Sequence, residues 1–218
     1  MLTRTPLALV LIAAATLTTG CEVVPLEPAP TTTTPGGGEA GGSTSGNPAK
    51  LLAGLKEAKA GSMRGYTRDE FPHWRDTGKN CDVRDSVLKR DGRKVKFSGC
   101  NVVGGTWTSS YDGKVLTKPT LVDIDHMVPL ANAWRSGAAA WTKDRRGDFA
   151  NDLERPQLVA VSQTSNRGKG DQDPSTWKPS VKAEWCGYAG DWITVKSYWK
   201  LTVTSAEKKA LSTMLKEC

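Results

Sequence analysis

The chain has 218 residues, 38% of them hydrophobic, and a formal net charge of +7. After the first twenty residues no stretch approaches the roughly 20 consecutive apolar residues of a membrane-spanning helix, which excludes a membrane-spanning core. Positive charge is concentrated from residue 50 onward, with 29 of the 30 Lys and Arg but only 20 of the 23 Asp and Glu; this favours a polyanionic partner, with solubility alone as the alternative.

Residues 1–20 are typical of an export signal, because Arg4 is followed by an apolar run over 6–17 and then by small residues. The end of this segment, Leu17-Thr18-Thr19-Gly20-Cys21, resembles a bacterial lipobox in which the usual Leu lies one place early. That similarity implies a lipoprotein-type signal whose lipidated Cys21 attaches the protein to the outer face of the cell membrane. Simple secretion is the alternative.

Residues 21–49 are rich in Pro, Thr, Gly and Ser and contain few large apolar side chains. Such a composition cannot bury enough surface to offset the entropy lost on ordering, so it predicts a flexible linker that begins at Cys21. The remaining residues, 50–218, have the length of one domain.

The cysteine count supports this division. Five cysteines leave an odd one in an exported chain, and lipid on Cys21 would leave an even set of four in an oxidising compartment. Three pairings are possible; we favour Cys81–Cys100 with Cys186–Cys218, since each closes a local loop. Loops of this size are worth about 3–4 kcal/mol each in the chain-entropy model.

The patterns along the domain predict both helices and strands. The patterns predict helices over 48–60, over part of 67–77 and over 81–91, followed by one small antiparallel β region between residues 94 and 128. An Ala-rich helical excursion follows, with Trp134, Trp141, Phe149 and Leu153 at roughly helical spacing, and we expect its tryptophans in the core rather than as platforms for base stacking. A strand at 158–161, a short helix after it, an amphipathic segment over 184–199 and a last helix opened by Thr204 and Glu207 complete the prediction.

One constellation in this order indicates a function. Asp125-His126 ends a strand, a second strand follows the excursion, and Asn166-Arg167-Gly168-Lys169 comes next. "DIDHMVPL" with "QLVAVSQTSNRGKGD" resembles the HNH, or ββα-metal, nucleases, and most closely the family of the GmrSD restriction endonuclease C-terminal domain, common in exported actinobacterial proteins. "GYTRDEF", "CDVRDSVLKRD" and "FANDL" are similar to further blocks of that family.

The resemblance implies an α+β fold, with a ββα-metal core, a small antiparallel sheet and surrounding helices. It also implies that Asp125 and Asn166 bind a divalent metal and that His126 is the general base. Carboxylate and amide oxygens suit Mg²⁺, with Mn²⁺ as another choice, and hydrolysis of a phosphodiester needs both a cation and a base. A base with an ordinary histidine pKa predicts that activity declines below about pH 6.

Other residues have supporting roles in this interpretation. The family has a second amide that fixes the loop and the histidine; here it is Gln157 where Asn is usual. Arg167 and Lys169 would hold the phosphodiester, with a solvated basic turn as the alternative. Asp123 is a second acid near the metal. The similarity places Asp82 and Arg84 near the site, although a structural ion pair explains them equally well.

His73, the only other histidine, lies between Pro72 and Trp74, a setting typical of packing rather than of a general acid. The sequence therefore predicts an exported, lipid-anchored endonuclease that cleaves DNA or RNA with little sequence specificity, and it implies no protein partner. The alternative is a surface lipoprotein that binds nucleic acid or another polyanion and has little or no catalytic activity.

Overall fold

Helices and short antiparallel sheets make up the part of the chain that the computed structural model describes, residues 46–218. The helices are α1 (Pro48–Gly54), α2 (Val83–Asp91), α3 (Leu130–Arg135), α4 (Lys143–Ala150), α5 (Gln163–Lys169), α6 (Trp185–Trp199) and α7 (Ser205–Met214). The strands are β1 (Asp76–Gly78), β2 (Cys81–Asp82), β3 (Arg93–Ser98), β4 (Asn101–Thr108), β5 (Val115–Leu116), β6 (Val122–His126) and β7 (Leu158–Ser162). The α+β prediction is confirmed.

The predicted export signal, the lipid on Cys21 and nearly all of the predicted linker lie outside the described residues. Within residues 46–218, no helix is long and apolar enough to cross a membrane.

The strands form three sheets where the sequence predicted one β region. β1 pairs with β2, β3 and β5 flank β4, and β6 pairs with β7. The β3–β4 pairing is interrupted by register shifts beside Lys96, and β6 finds its partner across the whole helical excursion rather than in the neighbouring hairpin. The alternating pattern indicates strands but does not specify which of them pair.

Two predicted helices are shorter than expected. The helix expected over 48–60 ends at Gly54, because the backbone beyond it pairs with another segment: Glu57 bridges to Val203. The helix expected within 67–77 is a single 3-10 turn at Arg68–Glu70, consistent with Pro72, which disfavours a helical residue before it.

Other local predictions are confirmed. α7 begins with the predicted capping box between Thr204 and Glu207. α2 also begins with a capping box, between Asp82 and Asp85, which was not predicted. Both favoured disulfides are present, with Cα–Cα distances of 5.7 Å for Cys81–Cys100 and 5.1 Å for Cys186–Cys218. They join β2 to the β3–β4 turn and the start of α6 to the C-terminus.

The core consists of two apolar clusters on either side of the β6–β7 pair. The larger is built around α6 and includes Trp134, as predicted, together with Phe149, whereas Trp141 packs at its edge. The smaller joins α2 to Ile124 and the neighbouring apolar residues of β6 and β7. The β6–β7 pair is therefore held between the two apolar clusters.

Candidate active site

The β6–β7 pair and α5 bring three of the predicted site residues to one cavity. β6 ends at His126, which pairs with Leu158 at the start of β7, and β7 leads directly into α5 through the N-cap Ser162. Asp125, His126 and Asn166 all line a cavity of about 270 Å³. The strand, strand, helix order thus produces the juxtaposition that the sequence predicted.

Asp125 is buried and firmly held. Its Oδ2 accepts a hydrogen bond from the Tyr111 hydroxyl at 2.6 Å, and both carboxylate oxygens lie within 3.0 Å of Lys169 Nζ. Burial raises the pKa of Asp125, and the Lys169 ammonium opposes that shift. Burial raises the pKa of Tyr111 far above its usual range, so this hydroxyl stays protonated and remains a donor.

The imidazole of His126 has a defined tautomer. Its Nε2 lies 3.0 Å from the carbonyl oxygen of Ala150, at the end of α4. Because a carbonyl can only accept a hydrogen bond, Nε2 carries the proton and Nδ1 carries the free lone pair. His126 is thus prepared to accept a proton at Nδ1.

The pKa of His126 corrects the expected pH dependence. Burial lowers this pKa to about 3, and the nearby Arg68, His73 and Lys169 lower it further while the Ala150 bond opposes the shift. His126 is therefore neutral at pH 6, and we do not expect the decline at about that pH that an ordinary histidine would give.

Gln157 fixes the loop that follows His126. Its side chain is fully buried, its Oε1 accepts from Val128 N at 3.1 Å, and its Nε2 donates to Val128 O at 2.9 Å. Its own carbonyl accepts from Met127 N at 2.7 Å. The longer Gln side chain thus holds the loop, whereas the orientation of the His126 ring comes from Ala150.

Asn166 and Asp123 form a pair beside the cavity. Asn166 Nδ2 donates to Asp123 Oδ2 at 3.0 Å, so the carbonyl oxygen of Asn166 is the atom that remains for a cation. Asp123 and Asp125 lie two residues apart on β6 and share a face. Asp125 reaches the cavity, while Asp123 lies behind Asn166 and sets its orientation.

The two basic residues of α5 differ sharply. The side chain of Arg167 is 72% exposed, and its Nε lies 3.9 Å from Asp123 Oδ2. Lys169 is fully buried, and its ammonium contacts Asp125 and the carbonyl oxygen of His126. The prediction that Lys169 holds the phosphodiester is therefore wrong, because its charge is enclosed by the protein.

Asp82 and Arg84 lie outside the cavity. Asp82 caps α2, and Arg84 donates to the carbonyl oxygens of Pro119 and Val122 at 2.9 and 2.8 Å. Neither expectation for them holds, since they line no part of the site and do not pair with each other. Arg84 instead fixes the start of β6.

Several cavity residues were missed from the sequence. Tyr66, Arg68 and Asp171 line the cavity, and Tyr111 supports it from behind. For Tyr66, Arg68 and Asp171 the only signal was membership of sequence blocks similar to the family, which gave no role. His73, interpreted as packing, lies with its ring centroid 6.2 Å from that of His126.

Few protein donor atoms remain for a divalent cation at the cavity. Within residues 46–218, no three His, Cys, Asp or Glu side chains are grouped so that they could hold a metal ion. An ionised carboxylate has about four acceptor positions, and Tyr111 and Lys169 occupy three on Asp125. One position of Asp125 and the carbonyl of Asn166 remain, the type of set that Mg²⁺ binds while it keeps several waters.

Comparison with known proteins identifies a family for this chain. Residues 79–214 match the GmrSD restriction endonucleases, C-terminal domain. The chain belongs to this family. A relative from the fungus Arthroderma benhamiae is 52% identical over 169 residues, which cover 77% of this chain and 83% of the relative, and is named "Uncharacterized secreted protein". No solved structure gives a significant match. Membership makes this a nuclease-related domain, and this relative is fungal rather than actinobacterial.

Proposed function

We propose that this protein is an exported, metal-dependent endonuclease of the ββα-metal type that hydrolyses phosphodiester bonds of DNA or RNA with little sequence specificity. The observation that carries the proposal is the single cavity lined by Asp125, His126 and Asn166 at the junction of β6, β7 and α5. Membership of the GmrSD C-terminal-domain family supports it independently.

His126 supplies the base. The bond to Ala150 keeps the proton on Nε2, so Nδ1 can take a proton from a water molecule that attacks phosphorus. The low pKa of His126 keeps this nitrogen unprotonated at neutral pH. Gln157 holds the next loop residues and so limits the movement of the imidazole.

Asp125 and Asn166 would hold the cation, most simply Mg²⁺ or Mn²⁺. When bound, a divalent cation neutralises charge that develops on the phosphate oxygens. Tyr111 and Lys169 keep Asp125 in one orientation, and Asp123 does the same for Asn166. The buried Lys169 ammonium offsets the charge of Asp125, so we expect weak metal affinity, with saturation at millimolar Mg²⁺.

The exposed Arg167 would contact the nucleic-acid backbone, consistent with the basic composition of the domain. The name of the fungal relative supports export of this chain as well. Attachment to the membrane through lipid on Cys21 remains part of the proposal on the basis of the lipobox-like segment.

The experiment is a plasmid-nicking assay with the purified domain in a series of Mg²⁺, Mn²⁺, Ca²⁺ and EDTA. We expect conversion of supercoiled to open-circular and linear DNA with Mg²⁺ or Mn²⁺ and none with EDTA. Binding of the plasmid without cleavage in every metal would instead support a polyanion-binding protein. Full activity in EDTA would contradict the assignment of Asp125 and Asn166 as metal ligands.

A further inference from the structure

Arg68 has an anchored guanidinium at the cavity. Its Nε donates to His73 Nε2 at 3.3 Å, and His73 Nδ1 lies 2.8 Å from the carbonyl oxygen of Phe71. Because that carbonyl can only accept, Nδ1 of His73 carries the proton and Nε2 carries the lone pair that Arg68 uses. Within residues 46–218 the two terminal nitrogens of Arg68 have no hydrogen-bond partner, and Arg68 lines the cavity together with Asp125, His126 and Asn166.

The segment that carries Arg68 and His73 is fastened to α4. Asn151 Nδ2 donates to Pro72 O at 2.8 Å, and Asn151 Oδ1 accepts from Arg75 N at 2.9 Å. Arg146 Nε donates to Glu70 O at 2.8 Å. The same helix ends at Ala150, whose carbonyl binds His126. One helix therefore sets the position of both the proposed base and the segment beside it.

The charge of Arg68 is not neutralised by the protein. In the described part of the chain its side-chain hydrogen bond goes to the imidazole of His73, and none of the ion pairs includes it. By contrast, Lys169 and Arg135 have carboxylate partners. A guanidinium that has no carboxylate partner can direct parallel N–H groups at the oxygens of a phosphodiester.

We infer that Arg68 binds the non-bridging oxygens of the substrate phosphodiester in the cavity, and that His73 is the positioning residue that sets its orientation. This inference rests on the proposed function, and it assigns to Arg68 the phosphate contact that the sequence assigned to Lys169. His73 acts only through Arg68 and takes no part in proton transfer.

Binding without cleavage tests Arg68. The affinity of a fluorescein-labelled 12-nucleotide single-stranded DNA is measured in EDTA over a salt series for wild type, Arg68→Gln and the matched control Arg64→Gln. Arg64 is exposed like Arg68 but does not line the cavity. Loss of a charged contact predicts roughly 10-fold weaker binding for Arg68→Gln and a salt slope lower by about 0.7, with Arg64→Gln close to wild type.

Equal affinity and equal salt slope for wild type and Arg68→Gln would overturn the inference. Because these measurements need no catalysis, that result is distinguishable from failure of the proposed function, which would appear as binding of DNA with no metal-dependent cleavage. Loss of binding that is equal in Arg64→Gln and Arg68→Gln would also overturn it, because it would indicate a diffuse charge effect.

Steady-state cleavage tests the role of His73. In His73→Gln the amide oxygen can still accept from Arg68, whereas in His73→Leu it cannot, so we expect KM to rise several-fold for His73→Leu and to stay near wild type for His73→Gln, with kcat changed less than KM in both. A general-acid role would instead lower kcat in both variants alike. Equal KM in His73→Leu and wild type would contradict the positioning role.

Discussion

Two buried lysine–carboxylate pairs stabilise different regions of this molecule. Lys169–Asp125 lies beside the cavity with a shortest N–O distance of 2.8 Å, and Lys196–Glu207 joins α6 to α7 at 2.6 Å. Both lysine side chains are fully buried, and burial lowers the pKa of each. The comparison shows that a buried ion pair does not by itself mark a functional site.

The surroundings of the two pairs differ. Glu207 accepts from Trp192 Nε1 at 2.6 Å and from the backbone of Thr204, and it does not border the cavity that contains Asp125. Asp125 has similar partners, yet it lines that cavity with an imidazole and an amide beside it. The cavity, and the imidazole and amide that line it, distinguish the Asp125 pair. The Lys196–Glu207 pair instead fixes the packing of α6 against α7.

The largest expected effect is on cleavage, and it distinguishes the Lys169–Asp125 pair from the Lys196–Glu207 pair. Asp125→Asn removes a proposed cation ligand, so we expect cleavage to fall roughly 100- to 1000-fold, the range for loss of a preorganised electrostatic contact. It also leaves the Lys169 ammonium without its counter-charge, at a cost of about 3–5 kcal/mol in free energy of unfolding. Plasmid cleavage and urea unfolding measure the two effects.

Glu207→Gln is the matched control. It leaves Lys196 uncompensated in the same way, so we expect a similar loss of unfolding free energy but unchanged cleavage per folded molecule. Equal loss of activity per folded molecule in the two variants would remove the distinction between a site pair and a packing pair.

Smaller effects are expected from two side chains, one that holds the loop after His126 and one that binds Lys196. Gln157→Ala leaves the buried N–H and C=O of Val128 without partners, at a cost of about 2–3 kcal/mol, and we expect cleavage to fall because the loop after His126 loosens. Ser136→Ala removes one bond to Lys196 at about 1 kcal/mol without a change in cleavage per folded molecule. Thermal denaturation with parallel assays tests both, and full activity of folded Gln157→Ala would contradict the role given to the loop.

An effect on stability alone is expected at Asp191, where burial raises the pKa to about 7 with only partial compensation from Arg90. Its folded pKa lies above its unfolded value of 3.8, so its contribution to stability is present at low pH and is lost between about pH 4 and pH 7. We expect Asp191→Asn to be more stable than wild type by about 1–2 kcal/mol at pH 8, allowing for partial exposure, and equal to it near pH 4.

Urea unfolding of both proteins across this pH range provides the check. A constant difference between wild type and Asp191→Asn from pH 4 to pH 8 would show that Asp191 does not titrate in this window.

The sequence was informative where the chemistry is local. The cap of α7 could be predicted because Thr204 and Glu207 have the spacing that a first helical turn requires. The Asp125-His126 strand and the Asn166 helix follow from periodicity together with family resemblance, and their meeting at one cavity follows from the strand, strand, helix order.

Contacts between residues that are far apart along the chain could not be predicted from the sequence. Whether Lys169 faces water or Asp125 depends on the packing of α5 against β6, and two lysines in similar basic segments would look alike in sequence. Arg68 is likewise undistinguished along the chain, because its link to the site passes through His73 and through contacts with α4 about 75 residues later. The pKa of His126 depends on burial, which a strand pattern does not reveal.

The most direct test of the central claim compares wild type with His126→Ala in the plasmid assay at pH 8 in millimolar Mg²⁺, with thermal denaturation to show that both are folded. We predict that wild type nicks and linearises the plasmid and that His126→Ala is slower by roughly 100-fold or more, the contribution of a general base. Equal rates of nicking for the two folded proteins would contradict the assignment of this cavity as the active site.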